Sequence, residues 1–285
     1  MARRWLVTGC SSGLGQALAA ALAQAGDQAV VTARNAASLA ELVRAWPSNL
    51  IPVEMDLRDE RQCADAVNAA RERLGGIDVL VNNAGGGLFG AVEEVSDEEL
   101  REQFETLVIG PWRLARLALP IMRAQGSGHI VNISTIGARA AVPGLAAYLS
   151  GKQALEGMSQ SLAAEVAPFG IRVTVVEPGG YNTNYGSALR ETSLRLPEYE
   201  HVYGVIGMFR GMAANPDMGR PEEFARALLH ILDAPAPTPL RIPFGPGADE
   251  MLTESLREAQ EEFALARALT TRAQDLAAGP VAEPA

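Results

Sequence analysis

Residues 5–15 read Trp5-Leu6-Val7-Thr8-Gly9-Cys10-Ser11-Ser12-Gly13-Leu14-Gly15, an apolar run that ends in a cluster of three glycines. Trp5 to Thr8 predicts a buried strand, and Leu14 to Gln24 a helix that follows it directly. Glycines at a strand-to-helix turn let the backbone bend tightly and approach a pyrophosphate, which the positive helix end attracts. The spacing is G-x-x-x-G-x-G rather than the commoner G-x-G-x-x-G, so an ordinary glycine-rich turn is the competing reading. Gly9, Gly13, Leu14 and Gly15 are the candidate backbone of such a cradle.

Outward from this turn, strand-like and helix-like segments alternate. Gln28–Ala33 predicts a strand and Ala36–Ala45 a helix; Ile51–Glu54, Val79–Asn82, His129–Ser134 and Arg172–Glu177 predict further strands. Between them Glu60–Leu74, Asp97–Met122 and Ala146–Val166 carry helical periodicity. Short apolar strands separated by helices predict a doubly wound α/β fold of Rossmann type, with a mostly parallel central sheet covered on both faces. Residues 1–276 are expected to form one such domain. Asn184 to Gly219 breaks the rhythm, and a stretch that long inside a compact domain is usually functional or mobile. Pro221–Asp233 predicts a helix, Ala234–Pro239 a linker, Leu240–Ile242 a last strand and Asp249–Leu276 a closing helix. The Ala/Pro/Glu tail over 277–285 is expected to be disordered.

The formal net charge of −10 argues against nucleic acid and anionic membrane surfaces as partners, because both require a basic face. Cys10 and Cys63 lack metal-ligand spacing and read as small buried hydrophobes, which fits a reducing cytoplasm. His129, His201 and His230 are scattered, so no metal site is expected. Arg3 and Arg4 precede an apolar run of strand length, which glycines end at once; this is not the pattern of a signal peptide.

Two features carry chemistry. The second strand ends Val31-Thr32-Ala33-Arg34-Asn35, with no carboxylate for a ribose 2′-hydroxyl and a guanidinium suited to a 2′-phosphate. NADP is therefore favoured over NAD, with Ser11 and Ser12 as further hydroxyl donors to that phosphate; the alternative is a solvated surface Arg34. Tyr148 and Lys152 lie four residues apart, so the helix Ala146–Val166 places them on one face. A phenol titrates near about 10 in water, and an ammonium beside it favours the phenolate. A half-buried tyrosine beside a solvated lysine is the plainer reading of the pair in isolation.

The ordered set of motifs resembles the short-chain dehydrogenase/reductase family. It comprises Thr8–Gly15, Asp56-Leu57, Asn82-Asn83-Ala84-Gly85, Asn132-Ile133-Ser134-Thr135, Tyr148-x-x-x-Lys152 and Pro178-Gly179. By that resemblance, Asp56 and Leu57 contact the adenine. Asn83, Ala84 and Gly85 support the central strand on the adenosine-ribose side. Lys152 holds the nicotinamide ribose and lowers the Tyr148 pKa, while Pro178, Gly179 and Thr183 hold the carboxamide end of the cofactor. Tyr148 then exchanges a proton with a ketone or secondary alcohol as hydride passes to or from NADP(H).

The resemblance also implies a homodimer or homotetramer, paired through helices at about 97–124 and 146–168. The segment 184–220 becomes the variable substrate loop. Tyr181, Tyr185, Tyr199, Tyr203, Met208, Phe209 and Met212, in or near it, suit an apolar substrate, or else simply pack the lid. Two positions depart from the family pattern. Thr135 stands where the family has its catalytic serine, with Ser134 as second choice, and Leu107 stands where it has an asparagine. Leu107 motivates an alternative: an NADP-binding regulatory or scaffold protein with weakened catalysis. Glu93, Glu94, Asp97, Glu98 and Glu99 read as favourable charge at a helix start, with Ser96 as cap.

Overall fold

The computed structural model describes residues 2–140, 142–211, 215–234 and 238–277. The expectations for Met212, for 235–237 of the linker and for the tail at 278–285 lie outside the described residues.

The chain opens with β1 (Arg4–Val7), α1 (Gly13–Gln24), β2 (Gln28–Ala33), α2 (Ala40–Ala45), β3 (Leu50–Glu54) and α3 (Glu60–Leu74). The middle comprises β4 (Val79–Asn82), β5 (Leu88–Phe89), α4 (Asp97–Phe104), α5 (Gly110–Gln125), β6 (Gly128–Ile133) and α6 (Ala146–Val166). There follow β7 (Ile171–Pro178), β8 (Arg190–Glu191), α7 (Glu200–Gly211), α8 (Pro221–Asp233), β9 (Arg241–Phe244) and α9 (Ala248–Ala277).

Seven strands pair in parallel in the order β3-β2-β1-β4-β6-β7-β9. Consecutive residues of β1 point to opposite faces. Trp5 and Val7 join a core with Leu18 and Leu22 of α1 and Phe224 and Leu228 of α8. Leu6 joins Leu80, Ile130, Leu114 and Met122 on the other face. Both faces are thus buried, which is why the strands read as continuous apolar runs. The expected doubly wound fold is present. The chain winds outward from β1 to β3 and then restarts at β4 on the other flank of β1, so a crevice opens past the carboxyl ends of β1 and β4.

The helix expected over Asp97–Met122 is interrupted. α4 ends at Phe104, residues Glu105–Ile109 form a π-helical turn, and α5 runs from Gly110 to Gln125. Pro111 has no N–H to return to the carbonyl of residue 107, so an α-helical ladder cannot pass this point unbroken. Instead the Gly110 N–H reaches back five residues to Glu105. The segment 184–211 is also more regular than its composition suggests, because β8 pairs with β5 and α7 packs against Leu107 and Tyr148. Among the described residues, no helix is long and apolar enough to cross a membrane.

Candidate active site

The glycine turn is built against the end of β4. Thr8 Oγ1 accepts from the backbone N–H of Asn83 and Ala84 at 3.0 and 2.9 Å. The Asn83 amide donates to the carbonyls of Thr8 and Gly9 at 2.8 and 3.1 Å. Gly9 holds a left-handed φ of +73°, and a Cβ there would stand 2.7 Å from Ala84 Cα. A Cβ on Gly15 would collide with the Gly9 carbonyl and the Asn83 amide, so α1 can start this close to β4 only without one. Ser12 is the extended N-cap of α1; the Ser11 and Ser12 side chains are exposed at the turn, while Leu14 packs partly into the core behind it. Thr183 reaches the same turn, 3.5 Å from where a Gly13 Cβ would be. A crowded turn without side chains, bordered by hydroxyls and an open helix start, fits a dinucleotide pyrophosphate.

At the adenosine end Arg34 is exposed at the close of β2, and its charge helps hold Asp56 below the usual carboxylate range. The larger cause is Arg58, whose Nη2 donates to Asp56 at 2.7 Å. Arg58 is thus a second cation at the end where Arg34 was expected to act alone. Its signal was Asp56-Leu57-Arg58, two residues past the expected acid. Leu57 is buried, and its carbonyl accepts from Arg113 at 2.6 Å.

A polar ladder fixes α6 on the sheet. The Asn82 amide donates to Asn132 at 2.7 Å, Asn132 donates to Ser159 at 2.7 Å, and Ser159 donates to the Leu155 carbonyl. This anchorage sets Tyr148 and Lys152, both buried, beside the end of β6. Lys152 Nζ donates to the Ile133 carbonyl at 2.7 Å and lies 5.9 Å from the Tyr148 ring centroid. Burial lowers the Lys152 pKa to about 8, with Glu156 pulling it back up. Burial raises Tyr148 to about 12, and the hydroxyls of Tyr185 and Thr135 pull it down. Besides these hydroxyls, the Lys152 ammonium stands 5.9 Å from the ring while it engages a carbonyl on the strand.

Thr135 and Ser134 differ in their partners. Ser134 donates to Glu156 at 2.7 Å in a buried contact, whereas the Thr135 hydroxyl accepts from the Gly137 N–H at 3.2 Å and helps pull the Tyr148 pKa down. Ser134 is turned away from the pocket, as alternation along an extended chain requires of neighbours. Glu156 also accepts from Arg241 at 3.1 Å, and Glu177 accepts from Arg139 at 3.0 Å, so these carboxylates brace α6 from behind. Leu107, 1% exposed, lies 3.0 Å from where a Gly151 Cβ would stand. Leu107 and Lys152 Nζ both border the Cβ position of Gly85, at 3.0 and 3.6 Å. On the opposite wall Gly179 continues from Pro178 and its N–H donates to the Phe244 carbonyl at 2.9 Å.

The pocket roof is apolar. Phe89, Leu145, Leu149, Leu189, Val202 and Ile206 cluster with Leu107 and Tyr148, and Tyr185 and Phe209 pack against them. Tyr181 does not belong to this roof: its ring meets Phe224 at 5.4 Å, on the α8 side of the sheet. Arg190, Arg195 and Arg210 pair with Glu102, Glu200 and Glu191. The acidic cluster has more to do than start a helix. Ser96 and Glu99 do form a capping box. Glu94, 2% exposed, also accepts from the N–H of Ala91 and Leu196 at 2.8 Å and from the Tyr203 hydroxyl at 2.9 Å. Glu99 accepts from Ser193 N–H at 2.8 Å and the Thr192 hydroxyl at 3.0 Å. These two carboxylates tie the loop 192–203 to the body.

Comparison with known proteins gives a consistent picture. The short chain dehydrogenase family profile matches residues 3–194. The oxidoreductase BOA17 of Botryotinia fuckeliana is 38% identical over 252 residues, which are 88% of this chain and 91% of that protein. A short-chain dehydrogenase structure from Streptomyces avermitilis aligns with a TM-score of 0.86 at 40% identity, covering 95% of this chain and 98% of the other. The 3-ketoacyl-(acyl-carrier-protein) reductase of Brucella melitensis, solved with NADH, aligns with a TM-score of 0.69 at 27% identity, covering 82% and 91%.

Proposed function

We propose that this chain, which belongs to the short-chain dehydrogenase family and is an oxidoreductase of that family, uses NADP(H) to interconvert an apolar ketone and its secondary alcohol. The observation that carries the reading is the placing of Tyr148, Lys152 and Thr135 together beneath an apolar roof, next to the glycine crevice. The residues of that crevice would hold a nicotinamide dinucleotide: Gly9 to Gly15 at the pyrophosphate, Asn83 to Gly85 along one wall, and Pro178, Gly179 and Thr183 along the other. Bound there, the nicotinamide supplies or accepts the hydride. Arg34 and Arg58 at the adenosine end support a 2′-phosphate and hence NADP.

In the reducing direction Thr135 donates a hydrogen bond to the carbonyl oxygen and Tyr148 passes its proton to the same atom. A phenol held at about 12 keeps its proton at neutral pH, while Lys152 at about 8 is mostly charged. That resting state is the proton-donating one that carbonyl reduction needs. The same proposal includes pairing of two or four copies through α4, α5 and α6. It is supported by Leu100, Ile109 and Trp112, which are 38, 42 and 56% exposed. Purified protein with NADPH and a panel of apolar ketones should consume NADPH absorbance, and Tyr148→Phe should abolish that. A broad panel without turnover, together with an inert Tyr148→Phe change, would refute it.

A second reading is favoured by Leu107. It brings no polar atom to the ammonium it flanks, which suits a cofactor-binding regulator or scaffold with weakened catalysis. That reading requires tight NADPH binding with negligible turnover, raised by Leu107→Asn. Turnover by the unaltered protein at ordinary enzyme rates rules it out.

A further inference from the structure

Tyr185 stands on the segment that links β7 to the loop, and its ring lies 5.6 Å from that of Tyr148 at an interplanar angle of 49°. Its phenol oxygen is buried without a hydrogen-bond partner, a costly arrangement for a hydroxyl. The room it occupies is made by a glycine. A Cβ on Gly87 would stand 2.7 Å from Tyr185 Oη and would also strike Leu189. A buried hydroxyl, a glycine that makes way for it and a neighbouring phenol together describe a built contact.

We propose that Tyr185 is a positioning residue of the active site, donating its hydroxyl hydrogen to the Tyr148 oxygen as that oxygen gives up its own proton. The inference rests on the oxidoreductase reading above. In carbonyl reduction by a reduced nicotinamide, hydride forms the new C–H bond. The C=O π bond opens, and the Tyr148 O–H bond breaks as its proton reaches the carbonyl oxygen. Negative charge then resides on Tyr148 Oη. Thr135 is engaged with the substrate oxygen at that moment, Lys152 is held at the Ile133 carbonyl, and Leu107 offers no donor. Tyr185, with its ring 5.6 Å from that of Tyr148 and its hydroxyl free of other partners, is the neighbouring donor for the new anion, and a hydrogen bond to an anion is about twice as strong as a neutral one.

The position of Tyr185 also links acid strength to the loop. It lies four positions before Leu189, which packs in the roof, and β8 follows at Arg190–Glu191. A loop that lifts carries the donor away from Tyr148, so proton transfer is strongest when the roof is closed.

Tyr185→Phe keeps the ring and removes the hydroxyl. On a turned-over ketone it should lower kcat about tenfold with KM nearly unchanged, and move the pH limb assigned to Tyr148 upward. An activity-independent arm uses 3-fluorotyrosine labelling. The chain has 5 tyrosines, so each fluorine resonance can be assigned by Tyr→Phe replacement. In Tyr185→Phe the Tyr148 resonance should move and titrate at higher pH. An unchanged Tyr148 resonance and midpoint would overturn the proposal even in a catalytically silent protein. A shifted resonance in a protein that reduces no ketone would instead uphold the contact and count against the oxidoreductase reading.

Discussion

Glu94→Gln tests how the roof is held. The carboxylate accepts three hydrogen bonds in a buried position, from Ala91 N–H, Leu196 N–H and the Tyr203 hydroxyl. Burial alone would raise its pKa, but these donors and Arg195 outweigh that and hold it below the usual range. An amide retains one acceptor and turns an NH₂ toward groups that are themselves donors. With a buried donor left unpaired at about 1–3 kcal/mol and a charge-assisted bond weakened by a similar amount, the cost is about 2–6 kcal/mol. It falls on one attachment, so the loop opens locally while the sheet stays closed.

Hydrogen exchange reads this directly. At about 3 kcal/mol, amides in 192–203 should lose roughly a hundredfold of protection, while β6 at 128–133 keeps its own. Equal loss in both segments, or none in the loop, refutes the reasoning. The pH dependence has a definite sign. Burial raises the Glu99 pKa, but hydrogen bonds from Ser96, Ser193 and Thr192 lower it from 4.5 to about 2. A depressed folded pKa contributes anchorage that is fully present above about 4.5 and is lost as pH falls toward 2. The loop should therefore stay closed at neutral pH and release in acid.

Three further outcomes are expected. Arg34→Glu should weaken NADPH binding about ten- to hundredfold by titration calorimetry and leave NADH nearly unaffected; equal loss for both would remove Arg34 from the 2′-phosphate. In the cofactor-free protein, Lys152 at about 8 when folded, against its ordinary 10.5 when unfolded, binds fewer protons in the folded state. Its contribution to stability therefore rises between those pH values by at most about 3 kcal/mol. Lys152→Met should remove that slope from urea midpoints, with the wild-type difference isolating it from the tyrosines that titrate in the opposite sense. Gly15→Ala should abolish NADPH binding and lower thermal stability, because its methyl meets the Gly9 carbonyl and the Asn83 amide; normal binding would show that the turn can spread.

The order of strands and helices was legible because each element buries its own periodic face. Trp5, Leu6 and Val7 alternate between two cores, and that alternation is a local property. The π-helical turn was not read from apolar periodicity, which runs through Asp97–Met122, although Pro111 marks the place where a backbone N–H is missing. Pairing of β5 with β8 joins segments about a hundred residues apart through two residues each, too short for any pattern to declare itself.

The site divides along the same line. The Tyr148/Lys152 spacing and the glycine turn are local patterns, readable without the rest of the fold. What surrounds them depends on contacts across the fold. Adjacent Ser134 and Thr135 carry the same chemical group, and Glu156, twenty-two residues away, turns one of them from the pocket. Glu94 and Glu99 looked like helix-start charge because their partners, Leu196, Tyr203, Thr192 and Ser193, lie about a hundred residues on. The same holds for Tyr185, whose meaning comes from Gly87 and Tyr148 rather than from its neighbours in sequence. The proposed acid, Tyr148, is therefore marked by local spacing, whereas the apolar cluster around it includes Tyr203, which Glu94 of the acidic segment 93–99 holds. Substitutions in that segment should alter proton transfer without touching Tyr148, and Tyr148 should respond to them through Tyr185.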